Sequence, residues 1–479
     1  MPEFDILFRN ARLIDGEGGP SVFGDLAVTD DRIAAIGDLS GASGAHEIDA
    51  EGLALAPGFI DCHCHDDYAI LETPLLEPKI SQGVTTVING NCGVSAAPVL
   101  PDRPDPLPPL TLFVQGERRT FKDFASYFSA LEKSPAAVNS ACLCGHSNLR
   151  HAVMSHMDRP ATAGEIGQMQ ALLTDALNAG VLGLSTGLYY PAAREAPTEE
   201  VISISQTLSK FNALYVTHMR DEADGVAASL KETFEIGAKA GVPVIVSHHK
   251  CVGCANHGKS EMTLKLIDEA RKTQSVGLDV YPYVASSTVL LPERVAISER
   301  VLITWSEAMP EASGRFLSDI AREMGCSDEV AAKRLLPGGA VYFQLNEEDV
   351  RRILSYPDTM IGSDGIVQDV HPHPRAWGTF PRVLGHYARD VGLFPLEQAV
   401  RKMTSLTARN FGLANRGILQ EGFFADLVLF DPVTIIDTAS FEEPCQASMG
   451  IERVFVNGQC TWVDGSPTGA RPGMAIRRV

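Results

Sequence analysis

Between residues 58 and 412, short β-like runs alternate with longer helical stretches, and this alternation limits the possible folds more than any other feature. The β-like runs end near His65, Cys92, Ser147, Thr186, His218, His248, Tyr281 and Asp364. Helical patterns cover residues 163–179, 198–212, 222–240 and 261–273, with Ala179-Gly180 and Ala240-Gly241 as C-terminal stops. Parallel strands need a crossover, and a helix is the usual one. Eight strands in this rhythm close into an α/β architecture, a (β/α)8 or TIM barrel.

The two ends have another texture. Residues 4–56 hold short β-like runs separated by Gly and Asp, notably at Asp15-Gly16-Glu17-Gly18-Gly19. Residues 423–431 and 451–456, the latter followed by Asn457-Gly458, predict strands and a hairpin turn. We expect a small β-sandwich domain from residues 1–57 and 413–479, around a catalytic barrel over 58–412. Residues 285–345 interrupt the barrel after its seventh strand, with helical patterning near 314–336. Barrels of this kind carry their sites at the C-terminal face, so the insertion is expected to be a lid or substrate subdomain. Residues 101–109 form a Pro-rich loop.

Charge narrows the partners. The chain has 60 acidic and 40 basic side chains and a net charge of −20. Such a surface repels phosphate backbones and anionic membranes, so a small-molecule partner is expected and neither nucleic acid nor membrane. An anionic substrate would need a local cation to capture it. No apolar run reaches about 18 residues, and Met-Pro-Glu-Phe-Asp at the start has no signal-peptide character. The expected location is therefore cytoplasmic. The ten cysteines include the close pairs Cys62/Cys64, Cys142/Cys144 and Cys251/Cys254, which read as reduced thiols. Cys251-Val252-Gly253-Cys254 has no second Cys-x-x-Cys and reads as a loop, not as half of a zinc site. The sequence leaves open whether the chain is a monomer or a homo-oligomer.

The strongest chemical signal is Pro57-Gly58-Phe59-Ile60-Asp61-Cys62-His63-Cys64-His65-Asp66. Residues i and i+2 of a strand share a face, so His63 and His65 present both imidazoles from one strand end. Imidazole suits zinc and similar metals. His218 closes Leu214-Tyr215-Val216-Thr217, and His248 closes Val244-Ile245-Val246-Ser247. His249 should face the opposite side, so His248 is taken as the inward residue, with the reverse assignment as the alternative. Asp364 ends the eighth strand, where a carboxylate can touch a metal and move a proton to a leaving nitrogen. Cys92, in Gly90-Asn91-Cys92-Gly93, offers a thiolate beside glycines that admit close backbone approach.

In this order, these motifs resemble the metal-dependent amidohydrolases and, within them, the N-acyl-D-amino-acid deacylase (D-aminoacylase) family. The resemblance also runs through Gly145-His146-Ser147, Thr217-His218-Met219-Arg220-Asp221-Glu222, Ser247-His248-His249-Lys250 and Asp279-Val280-Tyr281-Pro282-Tyr283. It continues in Gly362-Ser363-Asp364-Gly365, His371-Pro372-His373-Pro374-Arg375 and Gly422-Phe423-Phe424-Ala425-Asp426-Leu427-Val428. It implies a distorted barrel with a small β-domain, and a zinc enzyme that splits an N-acyl-D-amino acid into a carboxylate such as acetate and a free D-amino acid. It also implies that Cys92, His218 and His248 hold a tight zinc, that His63, His65 and Asp364 form a weaker second position, and that Asp364 is the catalytic base. Lys250, Tyr281, Ser287 and Arg375 would surround the substrate's polar end, with Tyr281 or His146 helping to hold the oxyanion. Tyr189, Tyr342 and Leu345 would line the side-chain pocket. Those three are apolar or aromatic, so hydrophobic side chains are expected. An acidic side chain would need an extra cation, which leaves N-acyl-D-glutamate or N-acyl-D-aspartate deacylation, or another amidohydrolase activity, as the alternative. Hydantoinase-like relatives bridge two metals with a fourth-strand lysine, and Val181-Leu182-Gly183-Leu184-Ser185-Thr186-Gly187 has none. That counts against a cyclic amide and passes the bridging role to Cys92.

Overall fold

The structure is a computed structural model that describes residues 2–100, 103, 105–112 and 120–478. Of the Pro-rich loop, Pro101, Asp102 and Pro104 lie outside the described residues. Phe59–Asp61, Val84–Asn89 and Asn139–Cys142 pair in parallel as the first three barrel strands. Cys144–Gly145, Gly183–Gly187, Leu214–His218, Val244–Val246, Val276–Val280 and Thr359–Ile361 form a second parallel run.

The third strand joins the two runs through a break at Leu143. Leu143 N–H donates to Asn89 O at 2.9 Å, while Cys142 O accepts from Leu182 N–H at 2.8 Å. The ring closes between the first and eighth strands, where Cys64 bridges Gly365. There Asp364 N–H donates to His63 O at 2.7 Å and His65 N–H to Gly365 O at 3.1 Å. The barrel is thus closed but irregular at the strand ends that bear the candidate site.

Burial of both strand faces explains the strand sequences. Val84–Asn89 is buried throughout, as expected for a parallel strand covered on both sides. Inside the barrel Ile60, Ile88, Ala141, Leu182, Val216, Ile245 and Met360 form one apolar cluster. Leu406 and Phe411 of helix Ser405–Phe411 join it. Outside, helix Ala163–Ala179 begins with a Thr162–Glu165 capping box and stops at Gly180, as its sequence predicts. The helix expected over 222–240 instead runs Val226–Ala240, because Glu222 turns toward the candidate site. No helix among the described residues is long and apolar enough to cross a membrane.

Both termini feed one nine-stranded sheet. Its N-terminal members include Phe4–Leu13, Val22–Thr29 and Ala54–Pro57, and its C-terminal members include Leu427–Phe430 and Ile451–Val456. This sheet folds over a core of its own, in keeping with the small β-sandwich domain expected from both termini. Arg32 bridges Phe424, and Phe8, Leu26, Leu55, Leu427 and Phe455 share the enclosed core. The insertion has its own antiparallel sheet of Ala285–Val289, Arg300–Ser306 and Gly338–Phe343, packed with helices Leu317–Met324 and Asp328–Arg334. The helices fall within the patterned 314–336 stretch, whereas the sheet lies outside that patterning.

Candidate metal centre and substrate pocket

Five barrel strands deliver six donors to one point. Cys92 Sγ lies 3.2 Å from His63 Nε2, 3.3 Å from His248 Nε2 and 3.7 Å from His218 Nδ1. Asp364 Oδ1 lies 3.2 Å from His65 Nε2 and 3.5 Å from His63 Nε2. The donors form two overlapping sets, Cys92 with His218 and His248, and Cys92 with His63, His65 and Asp364, each spanning no more than 4.8 Å. All six residues are buried. A thiolate, imidazoles and one carboxylate so grouped are a fitting donor set for zinc.

Backbone strain accompanies this convergence. Cys92, His248 and Asp364 adopt positive φ values of 53°, 34° and 48°. Left-handed backbone at a non-glycine residue costs on the order of 1–3 kcal/mol and persists only where the surroundings impose it. Around Cys92 they do so by close packing: a Cβ on Gly187 would meet Cys92 O at 2.2 Å. His249 turns away from the cluster, with Nε2 2.8 Å from Thr263 Oγ1, and burial pushes its imidazole down to about 4.

Charge inside the cluster is mutually compensated. Burial raises the Cys92 thiol, but His63 and His248 beside it hold it well below its ordinary value. Burial likewise opposes charge on Asp364, and Arg375, followed by His248 and His65, holds its carboxyl well below the usual range.

The expected substrate residues occupy different positions around the cluster. Lys250 and Arg375 stand at the cluster but are already engaged: Lys250 Nζ lies 2.7 Å from Glu222 Oε1, and Arg375 Nη1 3.0 Å from Asp364 Oδ2. Tyr281 lies between these cations, its ring centre 4.5 Å from the Arg375 guanidinium and 5.6 Å from Lys250 Nζ, and its buried hydroxyl has no hydrogen-bond partner among the described residues. Ser287 donates to Ala340 O at 3.3 Å, while its own carbonyl accepts from Arg375. Leu345 shares a small cavity with Lys250 and Tyr281, and Tyr189 is partly exposed beside His218. Tyr342 is not on the pocket surface. It is fully buried in the insertion core, and its hydroxyl is used by Leu291 N–H and Val289 O. His146 turns its ring toward Glu200, 3.3 Å away.

The profile of the Amidohydrolase family matches residues 46–279 and 299–462. The chain belongs to the amidohydrolase family. It is 52% identical to a D-aminoacylase of Alcaligenes xylosoxydans xylosoxydans over 475 residues, covering 99% of this chain and 98% of that one. It matches a solved D-aminoacylase at a TM-score of 0.97 and 51% identity, over 99% of this chain and 100% of that one. That structure is described by a binuclear metal center with one-metal activation and second-metal attenuation. An N-acyl-D-glutamate deacylase from Bordetella bronchiseptica, solved with zinc and a phosphonate inhibitor, matches at a TM-score of 0.96 and 46% identity, over 99% of each chain.

Three residues of this amidohydrolase site escape a sequence reading. Asp279 lies with Oδ1 3.3 Å from His63 Nδ1 and accepts from His248 N–H at 2.9 Å. Glu222 lies against His248, Lys250 and His218. Arg294, from the insertion, stacks on Tyr189 at 4.5 Å and donates through Nε to its hydroxyl at 3.0 Å. Asp279 and Glu222 fall inside the quoted motifs, and their carboxylates beside His-bearing segments were the available signal. Arg294 had none, because its place depends on how the insertion folds back.

Proposed function

We propose that this amidohydrolase hydrolyses the amide bond of N-acyl-D-amino acids, releasing a carboxylate such as acetate and a free D-amino acid. One observation carries the reading: Asp364 stands between the converged donors and Arg375, with one carboxylate oxygen toward each. Whole-length similarity to deacylases of N-acyl-D-amino acids supports the substrate class and its D configuration. Zinc, when bound, acts as a Lewis acid that acidifies contacting water and polarises a carbonyl. Cys92, His218 and His248 would hold one zinc tightly, and His63, His65 and Asp364 a second, weaker one.

The chain's own groups do the rest. Arg375 keeps Asp364 ionised, so that Asp364 can accept a proton and return it to the leaving nitrogen. Lys250 and Arg375 place positive charge where the substrate carboxylate binds. The unpartnered Tyr281 hydroxyl is available to a developing oxyanion. All ten cysteines are unpaired, which fits a reducing compartment and supports a cytoplasmic location.

Tyr189 and Leu345 support a hydrophobic side-chain pocket. Arg294 favours a second reading, because it is the cation that an acidic side chain would need. It is 4% exposed, and among the described residues its ion-pair partner is Glu222 at 4.0 Å, which is already engaged by Lys250. Hydrolysis of N-acetyl-D-methionine, N-acetyl-D-glutamate, N-acetyl-D-aspartate and N-acetyl-L-methionine, with and without chelator, tests both. Chelator-sensitive turnover confined to D substrates is expected. Equal rates on D- and L-methionine derivatives would overturn the stereochemical claim, and the faster D substrate decides the pocket.

A further inference from the structure

Glu222 joins the two histidines of the tighter donor set. It follows the fifth barrel strand, four residues beyond His218. Asp221 shapes the turn by accepting from Ala223 N–H at 2.6 Å and Gly225 N–H at 3.0 Å. The turn drives Glu222 inward until it is 2% exposed. Its Oε1 lies 3.1 Å from His248 Nδ1, and its Oε2 3.5 Å from His218 Nε2. The other nitrogens of those rings, His248 Nε2 and His218 Nδ1, face Cys92 Sγ. A ring nitrogen binds a metal only through a free lone pair, so the proton must sit on the outer nitrogen. The two rings therefore need opposite tautomers, and in each the nitrogen that must carry the proton lies beside a Glu222 oxygen, whose negative charge favours a proton there; at His218 the 3.5 Å contact acts through charge and not as a hydrogen bond.

A competitor stands beside them. Lys250 Nζ lies 2.8 Å from His248 Nδ1, in addition to its contacts with Glu222 and with His248 O at 3.0 Å. An ammonium has donors and no acceptor. By donating to Nδ1 it holds the His248 proton on Nε2, the nitrogen that faces Cys92. That tautomer offers no lone pair to a metal.

We propose that Glu222 is a positioning residue that fixes His218 and His248 in their metal-binding tautomers, and that Lys250 opposes it at His248. The proposal rests on the metal reading given above. Glutamine at 222 keeps the shape but replaces one acceptor oxygen with an amide donor. It can accept from one ring and must confront the other.

Zinc affinity, measured by competition with a chromogenic chelator, tests this without reference to turnover. Glu222→Gln is expected to weaken zinc binding about 10–100-fold, the usual effect of losing a group that orients a metal-binding histidine. Lys250→Met should bind zinc as tightly as the native chain or more tightly. Combining the two should recover part of the Glu222→Gln loss, because the competing donor is gone. A merely structural Glu222 predicts no recovery. Native affinity in Glu222→Gln, or a double variant no tighter than Glu222→Gln, would overturn the proposal. A native chain that binds no zinc would overturn the metal reading beneath it.

Discussion

Arg375 holds one oxygen of Asp364 and leaves the other to the cluster. Its Nη1 lies 3.0 Å from Oδ2, while Oδ1 faces His65 at 3.2 Å and His63 at 3.5 Å. A carboxylate so divided is fixed in direction and kept ionised, and both properties suit a group that shuttles a proton beside a metal.

Asp364→Ala therefore separates chemistry from metal binding. Cys92, His218 and His248 remain, so the tight zinc should stay in place. Turnover should fall about 10²–10⁴-fold, the usual contribution of a positioned acid–base group. Metal analysis alongside kcat checks this, and unchanged turnover would remove Asp364 as the base.

Among the described residues, Cys92 is the only donor shared by both sets. Cys92→Ala should consequently disturb both metal positions at once, whereas His65→Ala should spare the tighter one. Zinc content after dialysis distinguishes them. Comparable losses in the two variants would contradict the division into a tight and a weak position.

The sequence shows some parts of this site and hides others for physical reasons. His63, His65, His218, His248 and Asp364 are legible because each ends a strand in a regular β/α rhythm. His248 could be preferred over His249 because neighbours on a strand face opposite ways. Tyr342 sits in the insertion core, and an aromatic residue in an insertion looks the same in sequence whether it faces a ligand or an independent core. Arg294 leaves no sequence signal because its contact with Tyr189 spans 105 residues and depends on tertiary folding. The terminal sheet was visible as strands, but the bridge from Arg32 to Phe424 joins opposite ends of the chain and leaves no local mark.

Arg294→Leu should change substrate preference with little effect on metal content. If the guanidinium receives an acidic side chain, kcat/KM for N-acetyl-D-glutamate or N-acetyl-D-aspartate should fall at least tenfold while N-acetyl-D-methionine holds or improves. A charged hydrogen bond contributes about 1.5–3 kcal/mol, which sets that scale. Parallel losses on all three substrates would instead mean that Arg294 mainly supports Tyr189.

Gly362 follows the eighth strand directly and packs against His63. A Cβ there would meet His63 Cβ at 2.5 Å and Asp279 Oδ1 at 3.2 Å. Gly362→Ala should cost about 1–3 kcal/mol, as overpacking of a tight interior does, and should displace His63. A lowered thermal midpoint together with weaker binding of a second metal equivalent is the expected result. A loss of stability with both metals bound normally would show that the clash is absorbed away from His63.

Glu200 gives a pH dependence that can be read apart from the metal centre. Its carboxylate pairs with Arg150 and His146 and accepts from Ala161 N–H at 2.8 Å. Burial opposes the charge, but these partners prevail and bring its pKa to about 2, against an ordinary 4.5. A carboxyl that is more acidic in the fold than in the open chain stabilises the fold above its ordinary pKa. That contribution drains away as pH falls toward the folded value. The gap in urea midpoint between the native chain and Glu200→Gln, both stripped of metal, should therefore be widest near neutrality and narrow from about pH 5 to pH 2. A gap that stays constant over that range would mean that shape at position 200, and not charge, is what Arg150 requires.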